Sequence, residues 1–326
     1  MKASFAHYTL HFHQPAGTSR GVLTDKETYF LKLEDEDMPG VFGLGECAVF
    51  RGLSADDVPA YEDKLRELCA NISADKETDL HEFPSIRFGL ETAINDFANG
   101  CHRQPFPSDF TEGMSAIPIN GLVWMGTKEE MLRRIDDKIK AGFTTIKLKV
   151  GAIDTESELD LVRHIRKVFP PEVLTIRLDA NGGFTPDNAL QKLSDFARYG
   201  IHSIEQPIKQ GQWEAMRRIC SESPIDIALD EELIGIHTPE RMGEMLDAVR
   251  PKYIILKPSL IGGFSGSQDW IMQAARRDIG GWVTSALESN VGLNAIAQWT
   301  AQLGARMPQG LGTGALFTNN IGSPLE

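Results

Sequence analysis

The stretch Arg177-Leu-Asp-Ala-Asn-Gly182 contains Asp179, a carboxylate at the end of an apolar run. The same arrangement recurs twice further along the chain. Asp179 is followed after 26 residues by Glu205, in an Ile-Glu-Gln-Pro segment, and after 25 more by Asp230, in an Ala-Leu-Asp-Glu-Glu segment. Each acid ends an apolar run that precedes a stretch of helical periodicity. A step of roughly 25–30 residues is the length of one strand–helix unit, so the spacing predicts parallel strands whose carboxyl ends carry three acids.

Lysines flank the three acids on both sides in the sequence. Lys147 and Lys149 alternate with apolar residues in Thr145-Ile-Lys-Leu-Lys-Val150, and Lys257 ends the run that begins at Tyr253. Because residues two apart share a face of a strand, we expect both members of the first pair to point into a barrel. Two close ammonium groups disfavour further positive charge, which lowers the pKa of one of them and enables it to accept a proton.

The rest of the chain extends this repeat. Strand-like runs occur at 117–124, 144–150, 174–180, 203–207, 226–231, 253–259 and 281–286, with a weaker one near 310–314, and amphipathic helical stretches separate them. Eight strands and seven intervening helices predict an α/β fold, a (β/α)7β modified TIM barrel that lacks the last helix. We expect the barrel to span residues 113–315.

The first part of the chain has a different pattern. Three strand-like runs (5–13, 27–33 and 41–47) precede two helical ones (55–70 and 86–99), and a Gly/Pro/Ser-rich segment at 14–21 reads as a loop. This order predicts a separate α+β capping domain over residues 1–112, joined by the tail 316–326.

Composition and charge exclude several classes of protein. The chain has 326 residues and a formal net charge of −13, whereas a nucleic-acid partner would require a basic surface. The four cysteines form no Cys-x-x-Cys pair, and no segment approaches 18 uncharged apolar residues, so we expect no zinc or disulfide framework and no membrane partner. A cytoplasmic protein with reduced thiols is the expectation.

Three carboxylates without neighbouring His or Cys favour a hard cation, Mg²⁺ with Mn²⁺ as a substitute. Any one of these acids could be an ordinary helix cap or loop charge, but three at matched strand ends favour metal ligands, namely Asp179, Glu205 and Asp230. Asn181 and Glu231 could orient those ligands. At the last two strand ends, Ser285, Glu288, Gly312 and Thr313 offer groups that could bind a substrate carboxylate.

Six segments in this order resemble the enolase superfamily, in its muconate-lactonizing-enzyme-like subgroup. They are Gly43-Leu-Gly-Glu46, the Lys147-x-Lys149 pair, Asp179-Ala-Asn181, Glu205-Gln-Pro207, Leu229-Asp-Glu231 and Lys257, and the resemblance covers essentially the whole chain. It implies that a metal-stabilised enediolate forms when a proton leaves the carbon α to a carboxylate. Lys149 would be the base, Lys257 a cation on the opposite face, and Lys147 the residue that tunes Lys149.

The resemblance also implies a small-molecule carboxylate substrate, selected by cap loops at Thr18–Arg20 and Phe50–Leu53. Arg177 and the last two strand ends are most similar to the family that dehydrates 2-succinyl-6-hydroxy-2,4-cyclohexadiene-1-carboxylate to o-succinylbenzoate in menaquinone biosynthesis. Arg20 and Asn181 are included among the expected substrate contacts. The sequence leaves open whether the chain forms a homo-oligomer.

Other reactions remain open from the sequence. An N-acylamino-acid racemase would use the same two lysines on opposite faces of one carbon. A dipeptide epimerase would be expected to carry Asp-x-Asp where this chain has Gly312-Thr313-Gly314, and the segment around Lys257 does not resemble a muconate cycloisomerase. A non-catalytic binding or scaffold barrel would be expected to have lost a ligand or a lysine, and none is missing.

Overall fold

The structure is a computed structural model that describes residues 1–18, 21–38 and 40–323. Its N-terminal part is a three-stranded antiparallel sheet in the order β1 (Lys2–Thr18), β2 (Gly21–Glu34) and β3 (Phe42–Cys47). Helices α1 (Tyr61–Ser73) and α2 (Pro84–Ala98) follow, and an apolar cluster that includes Leu31, Leu65 and Ile86 joins helices and sheet. Alternate strand residues supply one face of this cluster, as a sheet with one covered face requires.

The first hairpin is longer than the sequence predicts. Residues Ala16–Thr18, expected in a loop, pair with Gly21–Leu23, and the register shifts between His11 and Ala16. Pro15 has no N–H to donate to a ladder and lies inside this irregularity, where none is needed. The prediction of a loop from residue 14 to residue 21 is therefore wrong for the described part of that segment.

A second sheet forms the barrel. Its strands lie in the order β10-β9-β8-β7-β6-β5-β4, each parallel to its neighbours. They are β4 (Gly121–Val123), β5 (Thr145–Lys149), β6 (Thr175–Asp179), β7 (Ser203–Glu205), β8 (Asp226–Leu229), β9 (Tyr253–Leu256) and β10 (Gly280–Val283). The helices that cover them are α3 (Lys128–Lys140), α4 (Thr155–Arg166), α5 (Ala189–Ala197), α6 (Trp213–Glu222), α7 (Pro239–Val249), α8 (Gly263–Ala275) and α9 (Asn290–Gln302).

Residues Gln309 and Gly310 close the barrel in place of a full eighth strand. The N–H of Asn120 donates to the carbonyl of Gln309 at 2.9 Å, and the N–H of Gly310 donates to the carbonyl of Val283 at 2.8 Å. Single parallel bridges therefore connect this segment to the β4 side and to the β10 side. Seven helices and this closing segment confirm the predicted (β/α)7β barrel with an α+β cap.

The tail that follows the barrel returns to the N-terminal sheet. Phe317 pairs with Phe12 in an antiparallel bridge, and the N–H of Thr318 donates to the carbonyl of His11 at 2.8 Å. The chain after the barrel therefore runs against the first strand of the cap. The domain boundaries at residues 112 and 316 stay a prediction.

Strand register determines where the charged residues meet. Lys149 on β5 pairs with Asp179 on β6, and Asp179 pairs with Glu205 on β7. On β5, Ile146 and Leu148 alternate with Lys147 and Lys149, point outward and are buried with helix residues such as Ile135. Each such fully buried aliphatic side chain contributes about 1.5–3 kcal/mol, so the apolar alternation fixes which residues of β5 face inward. In the described residues, no helix is long and apolar enough to span a membrane.

Candidate active site

Three buried carboxylates form the centre of the site. Asp179, Glu205 and Asp230 each present an oxygen within 4.8 Å of the others. Asp179 and Glu205 are the last residues of β6 and β7, and Asp230 directly follows β8. Their convergence follows from the parallel sheet, because the carboxyl ends of neighbouring strands lie at one edge.

Each predicted lysine contacts this trio. Lys147 Nζ lies 2.9 Å from Asp179 Oδ2 and 2.5 Å from Glu205 Oε2. Lys149 Nζ lies 2.7 Å from Asp179 Oδ2, and Lys257 Nζ lies 2.5 Å from Asp230 Oδ2. Since β5 and the end of β9 are separated by three strands in the sheet, Lys149 and Lys257 approach the trio from opposite walls of the barrel.

The two lysines of β5 have different proton affinities. Burial lowers the pKa of Lys149, and the neighbouring charges of Lys147 and Lys257 lower it further against the pull of Asp179. Burial also disfavours the charged form of Lys147, but Asp179 and Glu205 outweigh it and raise the pKa of Lys147. The arrangement therefore keeps Lys147 charged and makes Lys149 the easier of the two to deprotonate, as an acid–base group requires.

The pKa values of Asp230, Lys257 and Glu205 are also shifted by burial and by neighbouring charges. Burial raises the pKa of Asp230. Burial also disfavours the charged form of Lys257, but the negative charges of Asp230 and Glu231 outweigh it, and the pKa of Lys257 is raised. Burial and the adjacent carboxylates raise the pKa of Glu205 to about 7 despite Lys147. Lys257 is thus held as a cation on the wall opposite Lys149.

Backbone and amide contacts orient these groups. Asn181, at a φ of 43°, accepts from Lys149 Nζ through Oδ1 at 2.6 Å and donates through Nδ2 to Glu231 Oε1 at 3.0 Å. Gln206, at a φ of 37°, accepts through Oε1 from the N–H groups of Asp230 and Glu232, each at 3.2 Å. Such left-handed backbone in residues other than glycine is uncommon and concentrates at functional sites.

A cavity opens beside the three lysines, and its wall includes several predicted substrate contacts. Asn181, Ser285, Gly312 and Thr313 all line it, with the Ser285 and Thr313 hydroxyls 2.6 Å apart. The hydroxyls and the glycine backbone lie on the side where the barrel closes. This placement gives one wall of the cavity hydrogen-bonding groups.

Other predicted contacts lie elsewhere. Arg177 faces the barrel interior one layer below Asp179, where its guanidinium lies 3.9 Å from the Trp282 ring centre and donates to the carbonyl of Pro308 at 2.7 Å. Glu288 is fully buried behind the cavity wall and accepts from Ser259 and from the N–H of Ala286. Neither side chain lines the cavity, and Arg20 lies outside the described residues.

Two polar residues that line the cavity were not predicted from the sequence. Asn120 Oδ1 and Thr284 Oγ1 are buried and have no hydrogen-bond partner among the described residues. Strand alternation places Asn120 on the same face as Leu122 and Trp124, which also line the cavity, so period-two patterning could have indicated it. Neither residue carries a charge, and no comparable signal is present in the sequence around Thr284.

The cap contributes the upper wall. Phe50 and Leu53, in the segment after β3, line the cavity. Arg51 between them turns away and forms ion pairs with Glu27 and Asp57, both at 2.8 Å. The Phe50–Leu53 segment thus presents apolar side chains to the cavity and its cation to the cap.

The donor set of the trio fits a hard divalent cation. All ligand atoms are carboxylate oxygens, and Glu205 Oε1 is buried with no hydrogen-bond partner in the described part of the chain. An isolated buried carboxylate oxygen is unfavourable unless a cation compensates it. Three acids with an orphaned oxygen meet the preference of Mg²⁺ for oxygen ligands.

Comparison with known proteins agrees with this geometry. Residues 130–316 match the family model described as enolase C-terminal domain-like. The chain is 45% identical, over its whole length and 96% of the relative, to an o-succinylbenzoate synthase of Desulfotalea psychrophila. It is 28% identical to an L-Ala-D/L-Glu epimerase of Bacillus subtilis over 80% of this chain and 74% of that one.

Solved structures of similar fold are also found. A crystal structure of MenC from Desulfotalea psychrophila LSv54 superposes with a TM-score of 0.88 at 42% identity, covering 99% of this chain and 97% of that one. An o-succinylbenzoate synthase from Thermosynechococcus elongatus BP-1, complexed with Mg in its active site, has a TM-score of 0.78 at 24% identity, covering 100% and 97%. The chain belongs to the enolase superfamily of enzymes, in the family described as enolase C-terminal domain-like.

Proposed function

We propose that this chain is an o-succinylbenzoate synthase, which removes water from 2-succinyl-6-hydroxy-2,4-cyclohexadiene-1-carboxylate to form the aromatic o-succinylbenzoate. The observation that carries the proposal is that Lys149 and Lys257 approach the carboxylate trio from opposite walls of the barrel. In addition, the chain is 45% identical over its whole length to an enzyme of that name. Substrate would occupy the cavity between the lysines and the Phe50–Leu53 segment.

Mg²⁺ is the proposed cofactor, and Asp179, Glu205 and Asp230 would hold it. When bound, it supplies positive charge near the substrate carboxylate, where negative charge develops as the adjacent carbon loses its proton. The Mg-complexed synthase from Thermosynechococcus elongatus BP-1 has the same fold and supports this assignment. Mn²⁺ as a substitute stays a prediction, as do a homo-oligomeric state and a cytoplasmic location.

Lys149 is the proposed base. Its lowered pKa makes the neutral amine accessible. Its Nζ donates a hydrogen bond to Asn181 Oδ1 at 2.6 Å, which fixes the position of the nitrogen that accepts the proton. The proton that Lys149 takes from the carbon can then pass to the departing hydroxyl group, which leaves as water. The substrate loses one hydrogen and one hydroxyl, and the amine ends in its starting state.

Lys147 and Lys257 have electrostatic roles in this proposal. Lys147, whose pKa is raised between Asp179 and Glu205, remains an ammonium and keeps the proton affinity of Lys149 low. Lys257 remains an ammonium beside Asp230 and stabilises negative charge from the face opposite the base. Both groups are fixed by short contacts to carboxylates, so little reorganisation is needed during the reaction.

Epimerisation or racemisation is the second candidate. The 28% identity to the Bacillus subtilis epimerase and the opposed lysines favour it, since two bases on opposite faces suit a reaction that inverts a carbon. The chain has Gly312-Thr313-Gly314 where a dipeptide epimerase is expected to carry two aspartates, which argues against dipeptides more than against N-succinyl amino acids.

Chelation tests the proposal directly. The purified chain is given the diene substrate with Mg²⁺, and product is followed by the absorbance of the new aromatic ring. We expect turnover that disappears on exhaustive chelation and returns when Mg²⁺ is restored. Equal turnover in the chelated protein would overturn the metal-assisted mechanism, and no turnover with Mg²⁺ would overturn the substrate assignment.

A further inference from the structure

A cluster of three charged residues is buried between the cap and the barrel, apart from the carboxylate trio. Its members are Lys26 on β2, Glu46 on β3 and Glu288 after β10, and we call it the interdomain cluster. Lys26 is 6% exposed, and the two glutamates are fully buried. Groups of this kind are seldom buried without partners, so the cluster calls for a physical explanation.

Glu46 connects the cap to the start of α9. Its Oε1 accepts from Thr28 Oγ1 at 2.8 Å and from the N–H of Ser289 at 2.9 Å. Its Oε2 accepts from Ser289 Oγ at 2.6 Å and from the N–H of Gly292 at 2.8 Å. A carboxylate of the cap therefore satisfies the free N–H groups of a barrel helix, where negative charge is also favoured by the helix dipole.

Glu288 holds two segments that form the site. Its Oε2 accepts from the N–H of Ala286 at 2.7 Å, and its Oε1 accepts from Ser259 Oγ at 2.5 Å. Ala286 lies in the cavity wall, and Ser259 is two residues after Lys257. The neighbouring Leu287, also in the wall, has a φ of 64°, a conformation that an apolar side chain adopts only when its surroundings hold it.

Lys26 lies two residues before Thr28 in the regular part of β2, so its side chain is on the face from which Thr28 contacts Glu46. Its Nζ is buried without a hydrogen-bond partner in the described part of the chain. Burial lowers the pKa of Lys26, and the negative charges of Glu46 and Glu288 act against that effect. Without this ammonium, two carboxylates would share one buried region with no opposite charge. Their repulsion would then weaken the hydrogen bonds that fix residues 285–292.

We propose that Lys26 is a positioning residue, through which the cap fixes the cavity wall at Ser285–Leu287 by neutralising Glu46 and Glu288. Lys26 itself touches no substrate. It acts on the wall through the glutamates. The cap thereby influences the shape of the cavity from behind its wall, in addition to covering the mouth.

Amide hydrogen exchange of the purified full chain tests the proposal. In Lys26→Met, the amides of Ala286, Ser289 and Gly292 should exchange faster by on the order of tenfold, while those of β1 and α1 keep their wild-type rates. Lys32→Met is the matched control, since Lys32 lies on the same strand but pairs with Glu34 near the surface. Unchanged exchange at the three amides, or a uniform increase across the chain, would overturn the proposal.

A second variant separates charge from packing. Lys26→Met with Glu288→Gln removes one carboxylate together with the cation, so its exchange at Ser289 and Gly292 should be slower than in Lys26→Met alone. A double variant no better protected than the single one would contradict the proposal. If the single variant folds poorly, recovery of folding in the double variant would support the proposal, and no recovery would contradict it. Lys26→Arg, which retains the charge, should keep exchange close to wild type.

A kinetic measurement adds the functional consequence and rests on the proposed function. Lys26→Met should raise KM for the diene by about tenfold and leave Mg²⁺ affinity unchanged, because the wall is altered and the trio is not. A fall in kcat with unchanged KM would contradict the wall assignment. The exchange measurement needs no substrate, so an error in the proposed function would leave its outcome intact.

Discussion

Lys257 Nζ lies 2.5 Å from Asp230 Oδ2, whereas Lys149 Nζ lies 2.7 Å from Asp179 Oδ2. The two lysines therefore have different carboxylate partners, and each can change its charge without breaking the contact of the other. This separation permits one lysine to act as a base while the other stays a cation.

Lys149→Ala should abolish most of the activity. Removal of a positioned general base lowers the rate by roughly 10²–10⁴-fold, so we expect kcat to fall by that factor. Mg²⁺ affinity should not weaken, because the change removes a positive charge beside Asp179. Steady-state kinetics and calorimetric Mg²⁺ titration measure the two quantities. Lys140→Ala, at an exposed position of α3, is the control, and wild-type kcat in Lys149→Ala would exclude the residue as the base.

Lys257→Arg distinguishes the two candidate reactions. Arginine keeps the positive charge but does not give up its proton at neutral pH. Dehydration should retain measurable turnover, within about a hundredfold of wild type, because only the charge of Lys257 is used. Any racemisation of N-succinyl amino acids should disappear because it needs two bases. Loss of both activities to the same extent would show that Lys257 exchanges protons in both.

Asp230→Asn should weaken Mg²⁺ binding by at least about tenfold, because it removes a charged oxygen ligand and leaves Lys257 without its partner. Asp226→Asn, at the exposed first position of β8, makes the same chemical change outside the site. Calorimetric titration of both variants gives the comparison. Equal Mg²⁺ affinities for the two variants would remove Asp230 from the ligand set.

Asp56, in the cap, gives a pH dependence of stability. Burial raises its pKa to about 6 against the hydrogen bonds from Ser85, compared with 3.8 for an ordinary aspartate. The folded protein then binds a proton more tightly than the unfolded chain, so the contribution of Asp56 to stability falls as pH rises from about 4 through about 6. The Asp56→Asn variant lacks the ionisable group and therefore lacks this pH dependence.

Denaturant unfolding at pH 4.5 and pH 7 measures this effect. The free energy of unfolding of wild type relative to Asp56→Asn should fall by about 2 kcal/mol over that interval. Asp57→Asn, at the next position, is a useful comparison because the pKa of Asp57 is lowered, so its linkage has the opposite sign. A wild-type-to-Asp56→Asn difference that does not change with pH would contradict the raised pKa.

The site was predictable from the sequence to the extent that it depends on strand ends. Asp179, Glu205 and Asp230 meet because parallel strands end at a common edge, and Lys147 and Lys149 face inward because strand residues alternate. Arg177 obeys the same alternation, yet it lies one layer deeper, against Trp282. Strand alternation predicts which face of the strand a side chain lies on. Whether that side chain lines the cavity or lies beneath it depends on where the cavity begins.

Contacts between distant segments could not be predicted in this way. Glu46 and Ser289 are separated by 243 positions, and only the docking of the cap brings them together. Glu288 therefore reads in the sequence as a strand-end acid facing substrate, whereas in the fold it is buried behind the wall. The loop predicted at residues 14–21 failed for a related reason, since a register shift accommodates Pro15 within the hairpin.

The most direct test of the central claim is a comparison of kcat/KM for 2-succinyl-6-hydroxy-2,4-cyclohexadiene-1-carboxylate, N-succinyl amino acids and L-Ala-L-Glu, each with saturating Mg²⁺. We expect a kcat/KM for the diene that exceeds the other two by at least about a hundredfold, with Lys149→Ala inactive on it. A higher kcat/KM for an amino-acid or dipeptide substrate would contradict the assignment.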